Sequence, residues 1–184
     1  MTLQVRAQVT LEDYLALPET MLPTELIDGE IIQMPAPELE HQDIVLNGGI
    51  LLRRLTKAIG GKVYISPTDV VLDDVTVVQP DLLWIAPEGS RCISDAGKRL
   101  RGAPDLVIEV VSPGSVFHDR RTKFRLYEQH GVREYWLVDP RDRLIEVWMR
   151  QGDNFVLVDL YEENQTFESP LMGQVAVSAF FSAE

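Results

Sequence analysis

The chain has 184 residues, 45% hydrophobic and 25% charged, with a formal net charge of −12. That length fits one domain, taken here as residues 1–184, able to bury about 70% of the unfolded chain's surface. No apolar run approaches the ~20 residues of a membrane span. The lone cysteine, Cys92, excludes an internal disulfide or a cysteine zinc site, and the acidic balance argues against indiscriminate binding to phosphate backbones. The opening "MTLQVRAQVTLEDY" has no signal-peptide apolar segment, which predicts a cytoplasmic protein.

In chain order, "TLEDYLALPE" predicts a short helix that opens with a capping box of Thr10 and Asp13 and stops near Pro18. "ELIDGEII" predicts a hairpin turning on Asp28-Gly29. In "HQDIVLNGGILLRRLTKAIGG" the residues Ile44, Gly48, Leu51, Leu52, Leu55 and Ile59 recur at helical spacing, and Gly60-Gly61 end the helix. Short strands follow at "KVYIS", "DVVLDD" and "VVQPDLLWIA". Pro80 cannot donate a ladder hydrogen bond, so it marks an edge, a bulge or a strand start. Residues 87–104 read as a loop with one helical turn. "LVIEVV", 106–111, reads as a central strand covered on both faces. "VFHDRRTKFRLYEQHG" predicts a helix closed by Gly131, "REYWLVDP" a strand, and "RLIEVWMR" with "NFVLVDLYEE" a terminal hairpin. A weaker strand signal lies at 174–177. Strand, helix and strand over 106–138 predict a right-handed crossover unit in a mixed sheet.

One residue breaks the pattern. Glu109 places a carboxylate inside the most apolar strand of the chain. Buried there, it must be neutral, paired with a base, or bound to a metal. Asp105 shares its face but lies about 13 Å away along the strand. Two acids sharing a Mg²⁺ need oxygens within about 4 Å of each other, because each binds at about 2.1 Å. Asp81, after Pro80 on another strand, can be brought opposite Glu109 and is the expected partner. Lys123 lies on the helix that leaves the strand, and a crossover helix packs back over the sheet near Glu109. Two acids holding a hard cation beside a lysine suit phosphodiester hydrolysis.

The window from Lys98 to Arg125 holds seven bases and three acids, a local +4 in a chain that is otherwise −16. Arg120, Arg121 and Arg125 are candidate phosphate contacts, although a solvated helix face fits them equally. Asp119 reads as an acid favoured at a helix N-terminus, and Tyr127 and Tyr135 as core aromatics.

Four motifs, in order, resemble one family: "ELIDGEI" at 25–31, "QPD" at 79–81, "APDLVIEVVSP" at 103–113 and "DRRTKFRLYEQHGVREYWLVDP" at 119–140. They resemble the Uma-type restriction-endonuclease family of the PD-(D/E)XK nuclease superfamily, over residues 10 to about 160. The resemblance implies an α/β (α+β) fold with a restriction-endonuclease-like mixed central β-sheet flanked by helices. It also implies dependence on Mg²⁺ or Mn²⁺, and DNA as the substrate. The family's catalytic aspartate falls on Asp81 and its second acid on Glu109, both as metal ligands. Its lysine falls on Lys123, because the expected Glu-x-Lys position holds Val111. Glu25 matches an additional N-terminal acid, and His41 aligns with a histidine often found near it. The sequence thus predicts a metal-dependent DNA endonuclease that can act as a homodimer. The alternative is an inactive nuclease-fold module that binds DNA or a partner.

Overall fold

Two six-stranded sheets share a boundary at residues 79–81, where the chain leaves one and enters the other. The computed structural model describes residues 8–18, 22–112 and 118–182. In the first helix, α1 (Leu11–Leu15), the Thr10 hydroxyl accepts from the Asp13 amide at 3.3 Å, and the Asp13 carboxylate accepts from the Thr10 amide at 2.9 Å. Such a cap is worth about 1 kcal/mol. α1 buries Leu11 and Tyr14 against Leu26, Val71 and Val77.

Strands β1 (Thr24–Ile27) and β2 (Glu30–Gln33) form the predicted hairpin. Asp28 and Gly29 have φ of 50° and 82°, the left-handed pair that a two-residue turn of type I′ requires. Helix α2 (Leu39–Ile59) follows, ending at Gly60, and then β3 (Lys62–Ile65) and β4 (Val70–Asp73). The stretch "VVQPDLLWIA" is not one strand. It divides into β5 (Thr76–Val78) and β6 (Leu82–Ile85), which belong to different sheets. Pro80, lacking a donor, lies in the gap between them.

Residues 87–104 correct the expected loop. They form a second hairpin, β7 (Ile93–Asp95) and β8 (Arg99–Arg101), and β8 pairs in parallel with β4. Strands of three residues are too short to display alternation, which is why the sequence conceals them. Next comes β9 (Leu106–Val110). The predicted helix after it is also corrected. Its described part begins as a π-type turn, His118–Lys123, and only then becomes α3 (Phe124–His130), while 116–117 lie outside the described residues. The rest is β10 (Glu134–Asp139), the hairpin β11 (Leu144–Gln151) and β12 (Asn154–Glu162), a small hairpin β13 (Thr166–Ser169) and β14 (Gly173–Ala176), and α4 (Ser178–Phe181).

The first sheet runs β2-β1-β5-β4-β8-β7 and the second β12-β11-β10-β9-β6-β3. β9 and β10 are parallel, as the crossover reading requires, and β6 runs antiparallel to β9. The central strand is buried on both faces. Val107 and Val111 pack with Leu126, Tyr127 and Tyr135, whereas Leu106, Ile108 and Val110 pack with Ile44, Leu52 and Trp136. Full burial of such side chains contributes about 1.5–3 kcal/mol each. The second sheet is mixed, as the sequence predicts.

Candidate active site

The register sets the first contact. Leu82 pairs with Ile108, so Asp81, one residue earlier, falls across from Glu109. Asp81 Oδ2 accepts the Val110 amide at 2.8 Å and lies 3.1 Å from His41 Nε2 on α2. Glu109 points to the face of β9 that carries Val107 and Val111. There its Oε1 accepts from Lys123 Nζ at 3.1 Å and from the Tyr127 hydroxyl at 2.7 Å.

Glu25 arrives from the other sheet. Along β1, Leu26 faces α1, so Glu25 and Ile27 face the opposite way and Glu25 is fully buried. Its Oε1 accepts the Gln79 amide at 2.7 Å and sits 3.1 Å from Lys123 Nζ, while Oε2 lies 2.9 Å from His118 Nε2. Lys123 therefore bridges the two sheets, with Asp119 Oδ1 a further 3.9 Å from Nζ. The π-type winding makes this possible. Its i→i+5 hydrogen bonds bring residues five apart onto one side, so His118, Asp119 and Lys123 all turn toward Glu25 and Glu109.

Electrostatics follow from burial and from an excess of acids. Burial, helped by the neighbouring Asp81 and Asp119, holds the Glu109 carboxyl well above the usual range despite Lys123. Burial alone would lower the Lys123 ammonium, but Glu109, Glu25, Asp119 and Asp81 together overcome it and keep the group charged. For Glu25 burial pushes upward, and Lys123, His118 and the Gln79 amide prevail and hold it below its ordinary value. Burial likewise opposes His41 protonation, yet the bond and charge of Asp81 raise its pKa. Burial and the Glu109 charge push the Tyr127 phenol far up, so it stays a donor.

The structure thus brings Asp81, Glu109, Lys123, Glu25 and His41 together. It does not bring Arg120, Arg121 or Arg125 to the cleft. Arg120 bonds Glu146 and lies 3.6 Å from Asp139, Arg121 is exposed on the outer side, and Arg125 pairs with Asp28 and Gln129. Asp119 is not a solvated helix acid; it is 3% exposed and lines the cleft. Sequence reasoning missed His118 and the bond from Tyr127 to Glu109. Only the spacing 119, 123, 127 carries a signal, and His118 falls off that face of a regular α-helix.

The cleft has a volume of about 1360 Å³. Its polar floor includes His41, Asp69, Gln79, Asp81, Glu109 and Lys123, and its apolar wall includes Leu17, Leu22, Leu46 and Ile65. The donor set fits a hard cation. Asp81 Oδ1 carries no hydrogen bond among the described residues, and Glu109 Oε2 accepts only a long 3.4 Å contact from the Asp81 amide. Several carboxylates surround the Lys123 ammonium. Among the described residues no three His, Cys, Asp or Glu side chains are arranged to enclose a metal. Two carboxylates completed by water and phosphate is the usual coordination of Mg²⁺.

The sequence match covers residues 11–179 of the chain and is to a family described as "Uma2: Putative restriction endonuclease". The chain belongs to the Uma2 family. The span matched to Uma2 includes positions 25, 81, 109 and 123. A solved structure with the same fold is a putative nuclease belonging to DUF820 from Anabaena variabilis. It superposes with a TM-score of 0.76 at 23% identity, covering 94% of this chain and 97% of that one. No curated protein matches the chain.

Proposed function

We propose that this Uma2 chain is a divalent-metal-dependent deoxyribonuclease that hydrolyses phosphodiester bonds, working as one domain on DNA. The observation that carries the reading is that Asp81, Glu109 and Lys123 line one cleft while the buried Glu25, from the other sheet, pairs with the same Lys123 ammonium as Glu109. Asp81 and Glu109 would hold Mg²⁺ or Mn²⁺. Bound there, the ion would polarise a phosphate oxygen and lower the pKa of a coordinated water. Lys123, held charged by Glu25 and Glu109, stabilises negative charge developing on the phosphate. Glu25 positions that ammonium, and His41 fixes the orientation of Asp81. A homodimer would present two such clefts to the two strands of a duplex.

One observation favours a second reading, that of a non-cleaving binding module. Lys123 Nζ is already engaged by Glu25 and Glu109, and Val111 occupies the position where a free lysine is expected. Cleavage of plasmid and linear DNA with Mg²⁺ or Mn²⁺ separates the two. The nuclease reading expects wild type to cut, and Asp81→Asn and Glu109→Gln to remain folded by circular dichroism without cutting. If all three leave DNA intact yet retard it in a gel, the binding module is correct.

A further inference from the structure

Most arginines near the site are committed to acids. Arg101 bonds Asp95 at 3.1 Å, Arg133 lies 3.3 Å from Asp105, and Arg120 and Arg125 are paired as described above. Arg99 is the exception. It lies on β8, two residues from Arg101, is only partly exposed, and lines the cleft that holds Asp81, Glu109 and Lys123. Among the described residues it makes no ion pair, in a chain with 29 acids against 17 bases.

Its backbone places it beside a polar network. The neighbouring acid is Asp69, whose carbonyl accepts the Leu100 amide at 2.9 Å across the β4–β8 pairing. One oxygen of the Asp69 carboxylate is engaged: Oδ1 accepts Gln79 Nε2 at 2.9 Å and the Tyr14 hydroxyl at 3.3 Å. Gln79 in turn donates its amide to Glu25. Arg99 is therefore held next to the network that runs from Asp69 through Gln79 to Glu25, and among the described residues its guanidinium makes no ion pair. The other amine of the floor, Lys123, is spent on Glu25 and Glu109.

We infer that Arg99 is the phosphate anchor of the cleft, holding a backbone phosphate of the DNA strand whose neighbouring phosphate meets Asp81 and Glu109. The inference rests on the nuclease reading and deepens it. A guanidinium presents a planar fork of donors that matches two phosphate oxygens, and it is never deprotonated. The anchor is then the first sheet's β8, not the basic helix face at 120–125.

The test is binding of a short fluorescein-labelled duplex, and of its single strand, followed by anisotropy in EDTA over about 50 to 200 mM salt. Each phosphate neutralised adds about 0.9 to the slope of log affinity against log salt for a duplex and about 0.7 for a single strand. Arg99→Gln is expected to flatten the slope by that amount, so the affinity lost across the range shrinks about three-fold. Arg99→Lys is expected to keep the slope. Arg101→Gln removes the same charge from the same strand and is expected to leave the slope unchanged. In Mg²⁺, Arg99→Gln is expected to raise KM with kcat retained, as for loss of uniform binding. Equal slopes for Arg99→Gln and wild type, or equal flattening by Arg99→Gln and Arg101→Gln, would overturn the assignment and leave the nuclease reading standing. Wild type that neither binds nor cuts DNA would remove both.

Discussion

Lys123→Met keeps most of the aliphatic stem and deletes the ammonium. Nζ lies 3.1 Å from both Glu25 Oε1 and Glu109 Oε1, and 3.9 Å from Asp119 Oδ1. Removing one partner of a buried pair costs about 3–5 kcal/mol, because the other charge is left in low dielectric. A stranded carboxylate takes up a proton rather than remain charged, so the cost depends on pH. In wild type Glu25 has a folded pKa below its unfolded value of 4.5. Its contribution is therefore present above that value and is lost as pH falls through the lower folded pKa. Without the ammonium, burial raises the folded pKa of Glu25 above the unfolded one, and the sign reverses. The variant then loses about 1.4 kcal/mol per pH unit from this group, from just above pH 4.5 until the folded pKa is passed. Urea unfolding in EDTA at about pH 5 and about pH 8 measures the gap to wild type. The gap is expected to reach about 3–5 kcal/mol at the higher pH and to be clearly smaller at the lower. Equal gaps at the two pH values, or a gap under about 1 kcal/mol at the higher, would refute the account of Lys123 as the buried counter-charge.

Tyr127→Phe removes the hydroxyl that donates to Glu109 Oε1 at 2.7 Å in a buried setting, and should cost about 1–3 kcal/mol in urea unfolding; an unchanged midpoint would mean that the bond contributes nothing. Gly48→Ala and Gly49→Ala should shift Tm in opposite directions. A Cβ on Gly48 would lie 2.7 Å from Phe180 Cε1 and 3.0 Å from Leu82 Cδ1. That overpacking costs about 1–3 kcal/mol and outweighs the gain of about 1 kcal/mol in helix propensity. On Gly49 the nearest atoms are Ile65 Cγ2 at 3.5 Å and Leu82 Cδ2 at 3.6 Å, ordinary contacts that leave the propensity gain intact. Shifts of the same sign would show that α2 moves to absorb the methyl group at Gly48.

The parts of the fold legible in the sequence are those where pattern and punctuation agree. Thr10 with Asp13, Asp28-Gly29 and Gly60 mark the ends of α1, the first turn and α2, because each has a local physical role that neighbouring chain does not override. The run at 106–111, apolar at every position but Glu109, identifies a strand with two covered faces. The hairpin at 93–101 is illegible because its strands hold three residues each and are ordered by pairing with β4, a partner more than twenty positions away. Within the site, strand spacing excludes Asp105, and the family resemblance singles out Asp81 as the acid that the register then sets across from Glu109. The engagement of His118 is not legible, because it depends on a π-type turn whose winding leaves no mark on residue periodicity.

The packing of that turn bears on where a lysine can reach Glu109 in this chain. Position 111 lies on the same face of the strand as Glu109, two residues on, so a lysine there would reach the carboxylate directly. In this chain Val111 is 6% exposed and packs into the cluster around Tyr127, Tyr135 and Leu126. A charged group on that stem would have to leave an apolar pocket. Lys123 comes over the same face from the π-type turn and delivers its Nζ to Glu109 Oε1 at 3.1 Å while Val111 continues to fill the core. It also reaches Glu25 on the other sheet at the same 3.1 Å. An ammonium carried on the turn therefore serves both carboxylates with one charge, and ties the position of the turn to the two sheets.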